Sequence, residues 1–315
     1  MTAMTMKAVR IHEYGGPEKL VYEDAPRPEP GDGEILIRVF AAGVNPLDWK
    51  VRAGNLKDWL HHKLPLIPGW DVSGVVESLG PGVISPRVGE PVFARLDTRR
   101  DGAYAEYAVS EARIVAKKPV SIDHVHAASV SLASLTAWQA LFEAGQLAPG
   151  KRVLIHGASG SVGGFAVQFA KQKGAWVAAA VKGVDREYAS TLGADQVVDY
   201  DAAPFERAVS GVDLVLDVIG GEIQERSVKA LREGGILVST VGIHVAGEAK
   251  ARKIETKDFA VRSDGEQLSE IAKLVDAGRL KLNVETVLPL DKASQAHELV
   301  QSGRARGKIV LKVRD

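Results

Sequence analysis

The stretch VLIHGASGSVGGFAVQFAKQKGAWV, Val153–Val177, decides the fold, because it reads as a strand, a glycine turn, a helix and the start of a second strand. Val153, Leu154 and Ile155 make the short apolar run of a parallel strand covered on both faces. Gly157, Gly160 and Gly163 then let the backbone turn tightly, approach a diphosphate closely and pack the next helix against the strand. From Val162 onward, Phe165, Ala166, Phe169 and Ala170 fall at helical spacing, and Gly174 stands where a left-handed cap would end the helix. Free N–H groups at the helix start would face phosphates and supply partial positive charge. Ala158, Ser159, Gly160, Ser161, Val162 and Gly163 are therefore the candidate cradle of a bound dinucleotide. Glycines also serve plain turns, but here the turn leaves a strand, opens a helix and is followed at once by the strand Val177–Val181. His156, just before the turn, reads as a hydrogen-bonded strand residue rather than a catalytic one.

At 315 residues the chain exceeds the size at which one core keeps growing, so two domains are expected. Its 45% hydrophobic and 25% charged residues match an ordinary globular protein. Forty basic and forty acidic residues cancel, so no broad positive field points to nucleic acid or an anionic membrane as a partner. No apolar run approaches the roughly 20 residues that span a bilayer. The N-terminus MTAMTMKAVRIHEYGG lacks the apolar core of a secretion signal, so a cytoplasmic location is expected. With no cysteine there is no disulfide framework, thiolate zinc site or cysteine nucleophile.

Residues 1 to about 120 carry short β-type segments at Lys7–Ile11, Glu34–Ala41, Val72–Leu79, Pro91–Ala94, Tyr104–Val109 and Ile114–Ala116. They predict a twisted, antiparallel, barrel-like domain, with the proline-dense Ala25–Gly31 as a surface connector between strands. From about 122 the pattern becomes α/β: strands at Val153–His156, Val177–Val181, Gln196–Tyr200, Leu214–Ile219 and Ile236–Val241 alternate with helices around 162–173, 186–192, 203–209, 222–233 and 265–277. The tail, with strand-like Val284–Leu290 and Lys308–Val313 around a helix at about 291–302, is able to return to either domain.

Several segments together carry a family likeness: Ala42–Asp48 (AGVNPLD), Pro68–Val76 (PGWDVSGVV), Gly102–Tyr107 (GAYAEY), Ser134–Trp138 (SLTAW), Leu192–Asp195 (LGAD) and Gly307–Leu311 (GKIVL), besides the glycine turn. The whole chain resembles the medium-chain dehydrogenase/reductase superfamily, in its zinc-independent quinone oxidoreductase branch. The resemblance implies a GroES-like β-barrel catalytic domain of residues 1–122 completed by 284–315. It implies a Rossmann domain, a doubly wound parallel sheet, over 123–283, with an active cleft where the domains meet. It also implies a homodimer or homotetramer. Zinc alcohol dehydrogenases of the same superfamily carry a cysteine in the segment matching Gly43–Asp48 and Gly-His-Glu in the segment matching Gly69–Asp71; this chain has Asn45 and Trp70 there. The neighbouring histidines His61 and His62 read as a solvated loop. No metal is expected.

Without a metal, a reducing site relies on hydrogen-bond donors and on an acceptor that is already electron-poor, such as a quinone or an α,β-unsaturated carbonyl. Asn45 and Asp48 are the candidate catalytic residues: the family lines its cleft with this loop, and the Asn45 amide is able to donate to a substrate carbonyl. Asn-Pro and Asp also build turns, so a purely structural role stays open for both. Lys50 and Tyr104 are candidate proton sources, with a solvated lysine and a strand tyrosine as the alternatives. By family analogy Thr136 lies under the nicotinamide, Ile219 and Gly242 flank its carboxamide, and Phe259 closes the pocket; ordinary packing is the alternative for each.

An NAD site usually offers an acid about 20 residues past the glycines, to hold the ribose hydroxyls. This chain instead reads Val181-Lys182-Gly183-Val184-Asp185-Arg186 there. Lys182 attracts a 2′-phosphate as a point charge and Arg186 adds a fork of donors, so NADPH is preferred to NADH. Asp185 on the ribose would reverse that preference. Tyr200 matches the tyrosine that helps hold the 2′-phosphate in quinone reductases. The expected activity is NADPH-dependent hydride transfer to a quinone or activated enone. A 2-alkenal or enoyl C=C reductase would use the same residues, with the loop Asn55–Leu66 deciding the substrate, and a non-catalytic NADPH-binding sensor or structural protein would share the cofactor turn.

Overall fold

The computed structural model describes residues 4–315; the first three residues of the stretch read for a leader lie outside the described residues. The chain opens with a two-stranded antiparallel ribbon, β1 (Thr5–Ile11) against β2 (Leu20–Pro26). Pro26 ends β2 at the ribbon's edge, where the missing N–H breaks no ladder, so the proline connector starts two residues later than its composition suggested. Next come β3 (Glu34–Val44), α1 (Pro46–Arg52), α2 (Lys57–Leu60), β4 (Asp71–Leu79), β5 (Pro91–Arg95), β6 (Tyr107–Glu111), β7 (Val115–Lys117) and α3 (His124–Ala128). β3 is the spine of this part: it pairs antiparallel with β4 and β6, and its ladder with β4 shifts register at Leu36/Ile37 and Val39/Ala41, the irregularities that bend a sheet toward closure. Ile11, Ile37, Val39, Trp70, Leu96 and Tyr104 fill its core.

The second set of elements alternates as expected of crossover units: α4 (Ser131–Gln139), β8 (Arg152–His156), α5 (Ser161–Gln172), β9 (Trp176–Val181), α6 (Arg186–Thr191), β10 (Gln196–Asp199), α7 (Phe205–Ala208), β11 (Val212–Asp217), α8 (Glu222–Ala230), β12 (Leu231–Ser239), α9 (Ala246–Ala251) and β13 (Glu255–Asp258). The six strands form one parallel sheet in the order β10-β9-β8-β11-β12-β13. That is the doubly wound order of a dinucleotide-binding fold, with its switch beside β8. The helix read over 222–233 stops at Ala230, because Arg232, Glu233, Gly234 and Gly235 join the strand instead, and paired glycines are poor helix formers. β13 is an additional edge strand whose sequence, ETKD, carries no apolar signal.

The chain ends with α10 (Gly265–Asp276), β14 (Val284–Pro289), α11 (Ala293–Gln301) and β15 (Lys308–Lys312). β15 pairs antiparallel with β3, and β14 joins β15, so the tail returns to the first sheet, whose order is β14-β15-β3-β4-β5-β7 with β6 on β3. By contact the chain divides into one unit that runs to Leu132 and resumes at Ser263, and a second unit, Ala133–Arg262. These boundaries lie inward of the 122/123 and 283/284 implied by the resemblance, because α3 packs on β3 and β4, and α10 packs on β7. Among the described residues no helix is long and apolar enough to cross a membrane.

Candidate functional site

In the second unit, the turn between β8 and α5 is tight, and only glycine fits where it meets the helix. Gly160 is the N-cap of α5. Gly163 lies so close beneath it that a Cβ there would collide with the Gly157 carbonyl oxygen and stand 2.7 Å from Ala158 Cα. The turn therefore folds back on the first helical turn, whose N–H groups at Ser161, Val162 and Gly163 have no acceptor within the helix. Ala158 and Gly163 are buried, while Ser159, Gly160, Ser161 and Val162 remain partly exposed. A helix start with Ser161 and Val162 partly exposed, at the positive end of a 12-residue helix, fits a diphosphate.

The loop after β9 adds charge beside that turn. Lys182 and Arg186 are both exposed. Asp185 lies between them, and its carboxylate accepts from Ser159 Oγ at 3.0 Å, turning it back onto the glycine turn. Tyr200 directly follows β10; its N–H donates to Val181 O at 3.2 Å, which places it at the end of β9. Burial, then the negative charges of Asp201, Asp185 and Asp199, hold its hydroxyl above the ordinary tyrosine range. Thr136 is buried in α4. Ile219 follows β11 and Gly242 follows β12, at the carboxyl ends of neighbouring strands, and the Phe259 N–H donates to Ser239 O at 2.8 Å. His156 is a core residue, with Nε2 at 2.8 Å from Ser227 Oγ and the ring edge-on to Phe205.

In the first unit, Asn45 and Asp48 belong to a buried polar cluster. Asn45 precedes α1 and is 3% exposed. Its Nδ2 donates to Asp71 Oδ2 at 2.9 Å, and its Oδ1 accepts from Lys308 Nζ. Lys308 also donates to Asp71 Oδ2 at 2.8 Å, and Asp71 Oδ1 accepts the Leu132 N–H at 2.7 Å. The lysine reaches Asp71 across Gly43, where a Cβ would stand 2.9 Å from Lys308 Cε and collide with Ala128 O. Asp48 Oδ2 accepts the Asn45 N–H at 2.7 Å and the Tyr104 hydroxyl at 3.0 Å, while Oδ1 is buried without a partner. Burial, aided by the charge of Asp71, pushes the Asp48 carboxyl up to about 7. Tyr104 also lies 3.3 Å from His297 Nε2, and burial followed by the neighbouring Asp48 pushes its hydroxyl well above 10. Tyr104 is thus a fixed donor to Asp48, and Lys50 is half-buried at 6.0 Å from the Trp49 ring.

Sequence reading put Asn45 and Asp48 on a loop; Asn45 instead caps α1 and Asp48 lies within it, and their partners were missed. Asp71 and Lys308 lie in segments quoted for family likeness, and the only signal of their pairing was a charge at the head of an otherwise apolar strand. His61 and His62 do not act together: His61 is exposed, whereas His62 stacks on Trp70 and places Nε2 2.6 Å from Thr98 O. His62 is therefore a packed residue rather than a solvated one. Among the described residues no group of three or more histidines, aspartates or glutamates is placed to hold a metal ion.

The chain matches the alcohol dehydrogenase GroES-like domain family over residues 31–120 and the zinc-binding dehydrogenase family over residues 192–311. It is 32% identical to the 2-methylene-furan-3-one reductase of Solanum lycopersicum, with 97% of this chain and 79% of that protein covered. Among solved structures it is similar to the quinone oxidoreductase from Coxiella burnetii, at 34% identity and a TM-score of 0.91, covering 99% of this chain and all of that one. It is also similar to mycobacterial Rv1454c complexed with NADPH, at 29% identity and a TM-score of 0.88, covering 98% of this chain and all of that one. The chain belongs to the medium-chain dehydrogenase/reductase superfamily, in its quinone oxidoreductase branch. It takes a nicotinamide cofactor, and its activity is that of an oxidoreductase.

Proposed function

We propose that this chain is an NADPH-dependent reductase that transfers hydride to the electron-poor carbon of a quinone or an activated enone, without a metal ion. The observation that carries this reading is the tight glycine turn at α5, partly exposed over 159–162, tied through Ser159 and Asp185 to the loop on which Lys182 and Arg186 are exposed. When bound, NADPH supplies the hydride. The N–H groups of Ser161, Val162 and Gly163 hold the diphosphate, with Ala158, Ser159 and Gly160, whose own N–H donates to Gly157 O at 3.0 Å, shaping the turn. Lys182 and Arg186 neutralise the 2′-phosphate beside Tyr200. Thr136, Ile219 and Gly242 bound the nicotinamide end.

On the acceptor side the donor is Asn45. One Nδ2 hydrogen is committed to Asp71, which leaves one for the substrate oxygen. The Lys308 ammonium on Oδ1 polarises the amide and strengthens that donor. Asp48 fixes the loop by accepting the Asn45 N–H. The residues do not suit a zinc ion. Asp71, the carboxylate that the Asn45 side chain meets, is already neutralised by Lys308, whose charge repels a second cation. Hydride addition leaves negative charge on the acceptor oxygen, and solvent supplies the proton, because Tyr104 is engaged with Asp48.

The enone arm is favoured by the tomato relative and the quinone arm by the Coxiella structure. The loop holding α2 carries Trp59 at 60% exposure, an aromatic surface able to choose between them. The family resemblance extends the reading to a homodimer or homotetramer. A panel of 1,4-benzoquinone, larger quinones, acrolein-type enones and simple alcohols, run with NADPH and NADH, with and without chelator, tests the reading. NADPH consumption with quinones or enones and indifference to chelator are expected. Tight cofactor binding without turnover would favour a sensor, and loss of activity on chelation would overturn the metal-free site.

A further inference from the structure

Asp217 is the last residue of β11 and has no exposed surface, yet the glycine turn, the charged loop and the Asn45 cluster leave it without a role. Its carboxylate is fully engaged. Oδ1 accepts the N–H groups of Ile219 and Gly220, each at 2.9 Å. Oδ2 accepts Gln224 Nε2 at 2.9 Å and Ser239 Oγ at 3.0 Å. All four donors are neutral. An ionised carboxylate is the side chain of this size that accepts on every side, whereas an asparagine would turn its own N–H groups against donors already in place.

Gln224, in the first turn of α8, is also fully buried and carries the tie across to the next strand. Its Nε2 donates to Gly242 O at 2.9 Å, and its Oε1 accepts the His244 N–H at 2.9 Å. His244 Nε2 lies 3.0 Å from Gly221 O, and the Thr240 N–H donates to Asp217 O at 3.0 Å. Two loops, Val218–Gly221 after β11 and Thr240–His244 after β12, thus take their paths from one carboxylate and one amide. The strand order gives this meaning. Lys182 and Tyr200 follow β9 and β10 on one side of β8, while these loops follow β11 and β12 on the other. A dinucleotide whose diphosphate sits at β8 and α5 places its adenosine half over the first pair and its other half over the second.

We propose that Asp217 and Gln224 are positioning residues that set the backbone at Ile219 and Gly242 for the nicotinamide half of the cofactor, without touching it. This rests on the dinucleotide reading above. Burying a carboxylate is unfavourable unless charge-assisted hydrogen bonds offset it, and here all of those bonds go to loop backbone or to the residues that anchor it.

The test uses the purified full-length chain and two ligands, NADPH and 2′-phospho-ADP-ribose, which keeps the phosphates and the adenosine but lacks nicotinamide. Gln224→Met retains side-chain volume and removes every hydrogen bond of the amide. Its NADPH Kd is expected to rise about tenfold, while its Kd for 2′-phospho-ADP-ribose changes by less than about twofold. Ser239→Ala removes one donor to Asp217 and, if Gln224→Met fails to fold, provides the same comparison, with an expected rise of about threefold for NADPH alone. Equal weakening of both ligands, or no change in either, overturns the positioning role. A wild-type chain that binds neither ligand overturns the dinucleotide reading itself, and this proposal with it.

Discussion

Lys308 Nζ lies 2.8 Å from Asp71 Oδ2, and the two side chains, 4% and 0% exposed, form an ion pair shut away from solvent. Such a pair gives little net stability, because desolvation opposes the attraction, but breaking it strands a buried charge. Lys308→Met should therefore destabilise the chain by about 3 kcal/mol, the lower end for this kind of loss, because Asp71 keeps its bonds from Leu132 and Asn45. Lys308→Met combined with Asp71→Asn should recover at least half of that. Urea unfolding of the two single variants and the double variant measures the coupling, and simple addition of the two losses would contradict it.

Neighbouring glycines at the start of α5 should respond in opposite directions. A Cβ at Gly163 meets backbone at Gly157 and Ala158, so Gly163→Ala should cost about 1–3 kcal/mol and abolish tight dinucleotide binding. At Gly164 the nearest atoms lie 3.7 Å or further away, an ordinary contact. Gly164→Ala should therefore stabilise the helix by about 0.5–1 kcal/mol and leave binding intact. Thermal melts and cofactor titration of both variants decide the matter, and equal behaviour would remove Gly163 from the cradle.

The contrast between what was legible and what was not follows from chain separation. β8, β9 and β11 read clearly because each is a short apolar run between turn residues, and the glycine turn read clearly because all of its parts are contiguous. β2 and β13 escaped notice because edge strands carry polar residues such as Glu23, Asp24, Glu255 and Lys257. The Lys308–Asp71 pair joins residues 237 positions apart, and no local pattern announces it. Ile219 and Gly242 were singled out by analogy, but Asp217 and Gln224, which hold them, look in sequence like any polar residues at a strand end and a helix start. His62 looked solvated because stacking on Trp70 is a tertiary contact.

Lys182 is exposed, so its contribution to cofactor choice should be moderate and sensitive to salt. Lys182→Ala should raise the KM for NADPH about tenfold and leave the KM for NADH within about twofold, because only the former carries the 2′-phosphate. The difference should shrink as ionic strength rises. Initial rates with both cofactors at low and high salt measure it, and equal changes for the two would place Lys182 outside the phosphate site.

Asp48 links the Asn45 loop to pH. Burial, with the charge of Asp71, holds its carboxyl near 7, against an ordinary value of 3.8. The folded chain therefore keeps a proton that the unfolded chain releases, and stability falls as pH rises from about 4 to about 7, then levels off. Histidines act oppositely: buried His297, lowered to about 3, buried His156 and half-buried His124, both lowered to about 4, weaken the fold as pH drops below 6.5. Asp48→Asn keeps an acceptor for the Asn45 N–H and cannot titrate, so subtracting its stability from that of the wild type cancels the histidines. That difference should shift against the wild type by about 2–4 kcal/mol between pH 4 and pH 8, with most of the change complete near pH 7. Denaturant unfolding across this range provides the measurement. Parallel curves would mean that Asp48 is ionised throughout, its charge held by Lys308 and Tyr104 against the burial that opposes it.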